Sequence, residues 1–213
     1  DRLHYNDDIF CAAGRVIELI HIDAAKFSQQ SIDVEHRYNA PIEAHSDEAT
    51  LGGNIHMDAT YFAFHIRRGD FQYKNHKISA DAIYENTKHL LHPNRTTLIY
   101  IATDEKDKNF FKALRGNKKD FPKFSKILNE KLNKMGTVFH LRFFDDYVKK
   151  AKIGEDFPNN NPNHIGMIEQ IICANAHTFF GTPLSTFSGY ITRMRGYYRD
   201  NRYDRTFYTT PKE

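Results

Sequence analysis

The stretch Phe64-His65-Ile66-Arg67-Arg68-Gly69-Asp70-Phe71 runs an apolar segment straight into a histidine, two arginines and a glycine. A guanidinium held at the end of a strand can fork onto two phosphate oxygens. Side chains alternate along a strand, so His65 and Arg67 are expected on one face and Ile66 and Arg68 on the other. Gly69 would let the backbone turn and let a ligand come close. The plainer alternative is a surface salt-bridge cluster at a strand terminus. Arg68-Gly69-Asp70 also spells a cell-adhesion tripeptide, but it follows an apolar strand directly instead of tipping a free loop.

A second segment, Phe179 to Ile191, orders an apolar strand, a glycine turn, a hydroxyl-rich loop and a helix. A helix N-terminus exposes amide N–H groups and the positive end of the dipole, which together favour an anion. The hydroxyls of Ser185 and Thr186 add neutral donors for phosphate oxygens, and Phe187 follows them. Ser185 acting simply as an N-cap is the alternative. In a third segment, Gly166 to Ile172, Glu169 shares a helical face with Ile165, Ile172 and Cys173 and so points into an apolar region. A buried carboxylate needs hydrogen-bond donors. Guanine offers two of them, N1–H and the exocyclic amine, and a nearby arginine would serve equally. Asp104, after another apolar strand, suits a base, a ribose or helix capping.

Other constellations carry less chemistry. The 12 histidines are scattered, and His89 and His92 lack a carboxylate or cysteine placed to complete a metal site. Asp145-Asp146 is not the spaced Asp pair by which many sugar transferases hold a metal. Arg193, Arg195, Arg199, Arg202 and Arg205 interleave with Tyr197, Tyr198, Tyr203 and Phe207. A basic helix end and its tail account for that pattern without nucleic acid. The formal net charge of +3 permits a small anionic ligand and argues for neither nucleic acid nor a membrane surface. Cys11 and Cys173 each lie in an apolar stretch and are expected as buried free thiols, with a single disulfide as the alternative. Asn94-Arg95-Thr96 is a glycosylation sequon. The chain begins at Asp1 without Met, carries no signal peptide or membrane-length apolar run, and reads as a segment of a longer protein.

The elements that must position these groups alternate. Residues 9–20 place apolar side chains at helical spacing, and residues 28–57 turn polar and aperiodic, which predicts a long connection. Strands are expected at 61–66, 97–102, 137–143 and 178–181. Helices are expected at 79–91, 107–114, 124–134, 165–176 and 185–195. An Asn- and Pro-rich loop covers 159–163. This alternation predicts an α/β fold with a mostly parallel sheet, in one domain over residues 1–213. Its leading helix and loop occupy 1–60, and its sheet core and tail 61–213. In such sheets ligands sit at the carboxyl ends of the strands, at a topological switch point. Arg67 and Ser185 both follow strands.

Taken together, four segments resemble the GDP-fucose O-fucosyltransferase superfamily. They are His65–Phe71, Tyr100-Ile101-Ala102-Thr103-Asp104-Glu105, Gly166–Gln170, and Phe179–Thr182 continuing through Ser185-Thr186-Phe187. Arg193-Met194-Arg195-Gly196-Tyr197 is similar to the tail of plant- and alga-type members. The resemblance, running from Ile9 to Tyr198, implies the C-terminal, donor-binding Rossmann-like lobe of a GT-B enzyme whose N-terminal lobe is missing here. It implies an inverting, metal-independent transferase moving fucose from GDP-fucose to a protein or glycan hydroxyl in the ER/Golgi lumen. By position, Arg67 would hold the β-phosphate as the main catalytic donor, with Arg68 beside it. His65 and Glu169 would contact guanine or ribose, and Ser185, Thr186 and Phe187 would line the pyrophosphate. Glu169 departs from the Asp that several relatives carry. Rival readings are a transferase for another nucleotide sugar and a non-catalytic module that binds a nucleotide sugar or glycan.

Overall fold

The computed structural model describes residues 5–39, 59–69, 72–73, 79–92, 96–105, 139–153, 162–198 and 205–207. The helices expected at 107–114 and 124–134, and most of the 159–163 loop, lie outside them.

Helix α1 spans Asp7–Asn39. Asn6 caps it: its side-chain oxygen accepts the Asp8 N–H at 3.0 Å, and Asp7 and Asp8 place negative charge on the first turn. Ile9, Ala12, Ala13, Val16, Ile20 and Ala24 form one buried stripe. The small residues in that stripe let α1 approach its neighbours closely. The long connection expected from residue 28 is corrected in its first part, because α1 continues to Asn39; residues 40–58 lie outside the described set. Cys11 is also corrected. It faces away from the stripe and is exposed, whereas Cys173 is buried; both are free thiols.

Five strands follow in the chain: β1 (Phe62–Ile66), β2 (Leu98–Thr103), β3 (His140–Arg142), β4 (Thr178–Gly181) and β5 (Arg205–Phe207). They pair in the order β3-β2-β1-β4-β5, and every pairing is parallel. The tail thus supplies an edge strand, where residue pattern alone suggested only a basic extension. Between strands lie α2 (Ala80–Thr87), α3 (Pro162–Asn175) and α4 (Thr186–Tyr198). Ser79 caps α2, with its hydroxyl accepting the Ala82 N–H at 3.2 Å.

Helices cover both faces, so β1 and β4 are buried throughout. Alternation divides the core in two. Tyr61, Ala63, Leu98, Tyr100, Ala102 and Phe179 join the stripe of α1 and the inner faces of α3 and α4. Phe62, Phe64, Ile66, Ile99, Ile101 and Phe180 pack with Ile83 of α2 on the other side. Cα partners Phe62↔Ile99 through Ile66↔Thr103 bring the ends of β1 and β2 level. Phe62↔Thr178 through Phe64↔Phe180 do the same for β1 and β4. Beside the β3 edge, α1 is fastened by Phe27 stacked on His140 at 3.7 Å and by Asp23 Oδ2, which accepts from the Tyr147 hydroxyl at 3.2 Å.

A buried cation closes the bottom of α3. Arg195 of α4 donates from Nη1 to the carbonyls of Ala174 and Ala176 and from Nη2 to that of His177. A guanidinium at a helix C-terminus satisfies carbonyls that have no partner within the helix and complements the dipole. Among the described residues, no helix is long and apolar enough to cross a membrane.

Candidate nucleotide-sugar site

Strand order reverses direction at β1, whose neighbours are β2 on one side and β4 on the other. The carboxyl ends of β1 and β4 therefore flank a topological switch point. Arg67 is the first residue after β1 and Thr182 the first after β4. The Arg67 N–H donates to the Thr182 hydroxyl at 2.9 Å, and that hydroxyl donates to the His65 carbonyl at 2.7 Å. One side chain thus continues the pairing of the two strands beyond their last residues. The turn after β1 and the loop into α4 meet at this point.

A second hydroxyl extends the link. Ser188 Oγ accepts the Thr182 N–H at 2.9 Å and lies 2.7 Å from His65 Nδ1. If the serine hydrogen points at Nδ1, the imidazole is neutral and its proton sits on Nε2. Burial drives the His65 pKa down from 6.5 to about 3; Asp104 opposes the shift and Arg67 reinforces it. Phe187 stacks on the ring at 4.4 Å. His65 is thereby held between strand and helix, with Nδ1 and one ring face engaged by α4. A Cβ on Gly181 would lie 3.1 Å from the Ser188 side chain, so this glycine lets α4 sit directly against the end of β4.

On the other side of Arg67 the partners are charged. Asp104 Oδ1 accepts the N–H groups of Arg68 at 2.8 Å and Gly69 at 3.1 Å. Its Oδ2 lies 3.0 Å from Arg67 Nη1. Arg68 Nε donates to Glu105 Oε2 at 3.0 Å. The Thr103 hydroxyl donates to the Ile66 carbonyl at 2.7 Å. At Gly69 a Cβ would lie 2.7 Å from Asp104 Oδ2, so the space left by the missing side chain is filled by a carboxylate. Arg68 is tied to the sheet through Glu105, which removes it from the free loop tip that adhesion would need.

The loop 182–185 leads into α4 with Leu184 at a φ of 57°, in the left-handed region that costs an L-residue about 1–2 kcal/mol. Leu184 is 61% exposed, so packing does not account for that conformation. Ser185 is buried just before α4, and its carbonyl accepts the Gly189 N–H at 2.9 Å, as expected of an N-cap position. Thr186 is exposed and Phe187 half-buried.

Glu169 sits further down the sheet. The Tyr100 hydroxyl donates to its Oε1 at 3.2 Å, in the layer between β2 and α3. Burial pushes the carboxyl pKa up to about 8; the Tyr100 hydrogen bond pulls it back and Asp145 reinforces the rise. The Tyr100 phenol thus supplies this carboxyl with a donor from within the chain. Burial and the neighbouring Glu169 in turn raise the Tyr100 pKa well above its ordinary value.

The structure therefore gathers His65, Arg67, Arg68 and Asp104 around the switch point with the start of α4, and sets Glu169 against Tyr100. Thr182, Ser188 and Tyr100 were not singled out from sequence, although all three stand inside the segments that were. Short hydroxyl residues look alike in sequence wherever they fall, and only the strand register shows which one bridges. No group of three metal-ligating side chains occurs among the described residues.

A five-stranded parallel sheet in 3-2-1-4-5 order, covered by helices and carrying an arginine and a helix start at its switch point, defines a Rossmann-like α/β domain. The family model described as GDP-fucose protein O-fucosyltransferase matches residues 1–198, and the chain belongs to that family. Solved structures similar to it include POFUT1 in complex with GDP, at 13% identity and a TM-score of 0.42 over 71% of this chain and 43% of that one. POFUT1 in complex with GDP-fucose is similar at 13% identity and a TM-score of 0.40, over 85% of this chain and 45% of that one. The chain thus spans less than half the length of these structures. No curated protein matches it.

Proposed function

We propose that this chain is the donor-binding lobe of an inverting, metal-independent transferase that moves fucose from GDP-fucose to a hydroxyl of a protein or glycan acceptor. The acceptor groove and the second lobe would come from the rest of the protein, in the ER/Golgi lumen as for the family. The observation that carries this reading is the junction at Thr182, which joins the turn bearing Arg67 to the loop that opens α4.

The chemistry assigned to that junction is charge stabilisation. As the bond between fucose C1 and the β-phosphate oxygen breaks, the acceptor oxygen attacks from the opposite face and negative charge grows on the leaving diphosphate. A guanidinium and helix-start amides fixed in advance stabilise that charge more in the transition state than in the ground state. Arg67 is the proposed catalytic donor. Arg68, Ser185, Thr186 and Phe187 are proposed to line the diphosphate, and His65 and Glu169 to read the nucleoside. Since burial favours the neutral acid at Glu169, its ionisation to meet two guanine donors would release a proton on binding.

Arg67→Ala in the full-length protein tests the reading. Transfer should fall by about 10²–10³-fold, the loss typical of removing one preorganised oxyanion donor, in a variant that still folds but has a lowered melting temperature, because Asp104 loses its partner. Calorimetric titration with GDP, GDP-fucose, GDP-mannose and UDP should rank the guanine nucleotides far above UDP. Wild-type turnover in the variant, or equal affinity for UDP, would refute the assignment. Donor binding without transfer or hydrolysis in the intact protein would instead favour a non-catalytic module.

A further inference from the structure

We propose that Asp104 is a positioning residue for Arg67, fixing the guanidinium at the corner between β1 and β2. This rests on the reading of Arg67 as the diphosphate donor and adds how that donor is held. It also takes Asp104 away from direct contact with base or ribose.

Three consecutive residues at the end of β2 grip the end of β1 and the turn that follows it. Thr103 holds the Ile66 carbonyl through its hydroxyl. Asp104 Oδ1 holds the amides of Arg68 and Gly69. Glu105 holds the Arg68 side chain. With Oδ1 occupied by two amides, the carboxylate cannot rotate without losing both, so Oδ2 is aimed. It is aimed at Arg67 Nη1, 3.0 Å away.

The Oδ2 atom is itself buried and makes no hydrogen bond of good geometry, which leaves the guanidinium as its compensating charge. The Arg67 side chain is 35% exposed, and its Nη1 is anchored on the Asp104 side. Gly69 completes the arrangement, since any Cβ there would collide with Oδ2 at 2.7 Å. A long side chain that would otherwise sample many rotamers is thus held in one orientation before the donor arrives, as preorganised electrostatic catalysis requires.

Two variants of the full-length protein separate positioning from plain structural support. In Asp104→Asn the side-chain oxygen can still accept the two amides, while an NH₂ replaces the carboxylate oxygen that faces Arg67. In Gly69→Ala the new methyl must displace Oδ2. Both should lower kcat for GDP-fucose cleavage, read as hydrolysis with water as acceptor, by about tenfold or more. Asp104→Asn also removes a negative charge beside the proposed diphosphate, so its Kd for GDP should stay level or tighten.

That split, with slower cleavage and undiminished GDP binding, is one that a merely structural role would not produce. Unchanged kcat in either variant, or a joint fall of kcat, GDP affinity and melting temperature in both, would overturn the proposal. If Arg67→Ala itself binds GDP and cleaves GDP-fucose normally, the underlying donor reading fails. Loss in Arg67→Ala with normal turnover in Asp104→Asn sinks the positioning role alone.

Discussion

Arg67 stands between two corners of the sheet that are built from opposite materials. The corner shared by β1 and β4 is neutral: the Thr182 and Ser188 hydroxyls and the neutral imidazole of His65 link strand ends to α4, and His65, Thr182 and Ser188 are all buried. The corner shared by β1 and β2 is charged and partly open, with Arg67 on Asp104 and Arg68 on Glu105. Buried polar groups must be fully paired because each orphan is costly. Ion pairs that keep part of their surface in water are each worth less than a sealed network. The neutral corner is therefore suited to holding the architecture, and the charged one to the anion-binding role proposed for Arg67.

Breaking the neutral corner should have the largest effect on stability. Thr182→Val keeps the shape but strands the Arg67 N–H and the His65 carbonyl, at about 2–4 kcal/mol, read as a lowered midpoint in urea unfolding. A loss below about 1 kcal/mol would mean that water replaces the hydroxyl and that the corner is not sealed.

Titration should follow next. His65 has a folded pKa near 3 against 6.5, so its contribution is complete above 6.5 and is lost as pH falls toward 3. Glu169 has a folded pKa near 8 against 4.5, so its contribution is complete below 4.5 and is lost as pH rises toward 8. Each limb has a slope of up to about 1.4 kcal/mol per pH unit. Where both groups act, between 4.5 and 6.5, the slopes oppose and stability should be flat, declining on either side. Glu169→Gln should remove the alkaline decline and leave the acid one; an unchanged alkaline limb would show that Glu169 is not its source.

At the charged corner, Glu105→Gln should cost less than about 1 kcal/mol, since a hydrogen bond to Arg68 survives. A larger loss in thermal unfolding would erase the contrast between the corners. Smallest of all is Leu184→Gly. It relieves a left-handed φ worth about 1–2 kcal/mol but adds unfolded-state entropy of about 0.5–1 kcal/mol. The expected result is a melting temperature unchanged or raised by a few degrees, and a marked fall would assign Leu184 a packing role that its exposure hides.

The positions of β1, β2, β4 and the first half of α1 were legible because burial on both faces leaves unbroken apolar runs such as Tyr61–Ile66 and Leu98–Ala102, and because α1 repeats its apolar residues at helical spacing. Its second half was misread, since residues beyond 28 are mostly polar and periodicity has little to register there. The exposure of Cys11 was missed for a related reason. Apolar sequence neighbours on a helix lie on different faces, and being flanked by them does not imply burial.

Residue types and their order along the chain were enough to determine a parallel α/β domain and family membership. Pairing was decided only in three dimensions. That Thr182 bridges two strands, that Ser188 engages His65, that Tyr100 meets Glu169 and that Asp104 fills the space over Gly69 all depend on register between segments 35 or more residues apart. A linear pattern fixes which face a side chain takes within its own element, but its partner is set by how neighbouring elements align. That alignment is a collective outcome of packing, and no single segment encodes it.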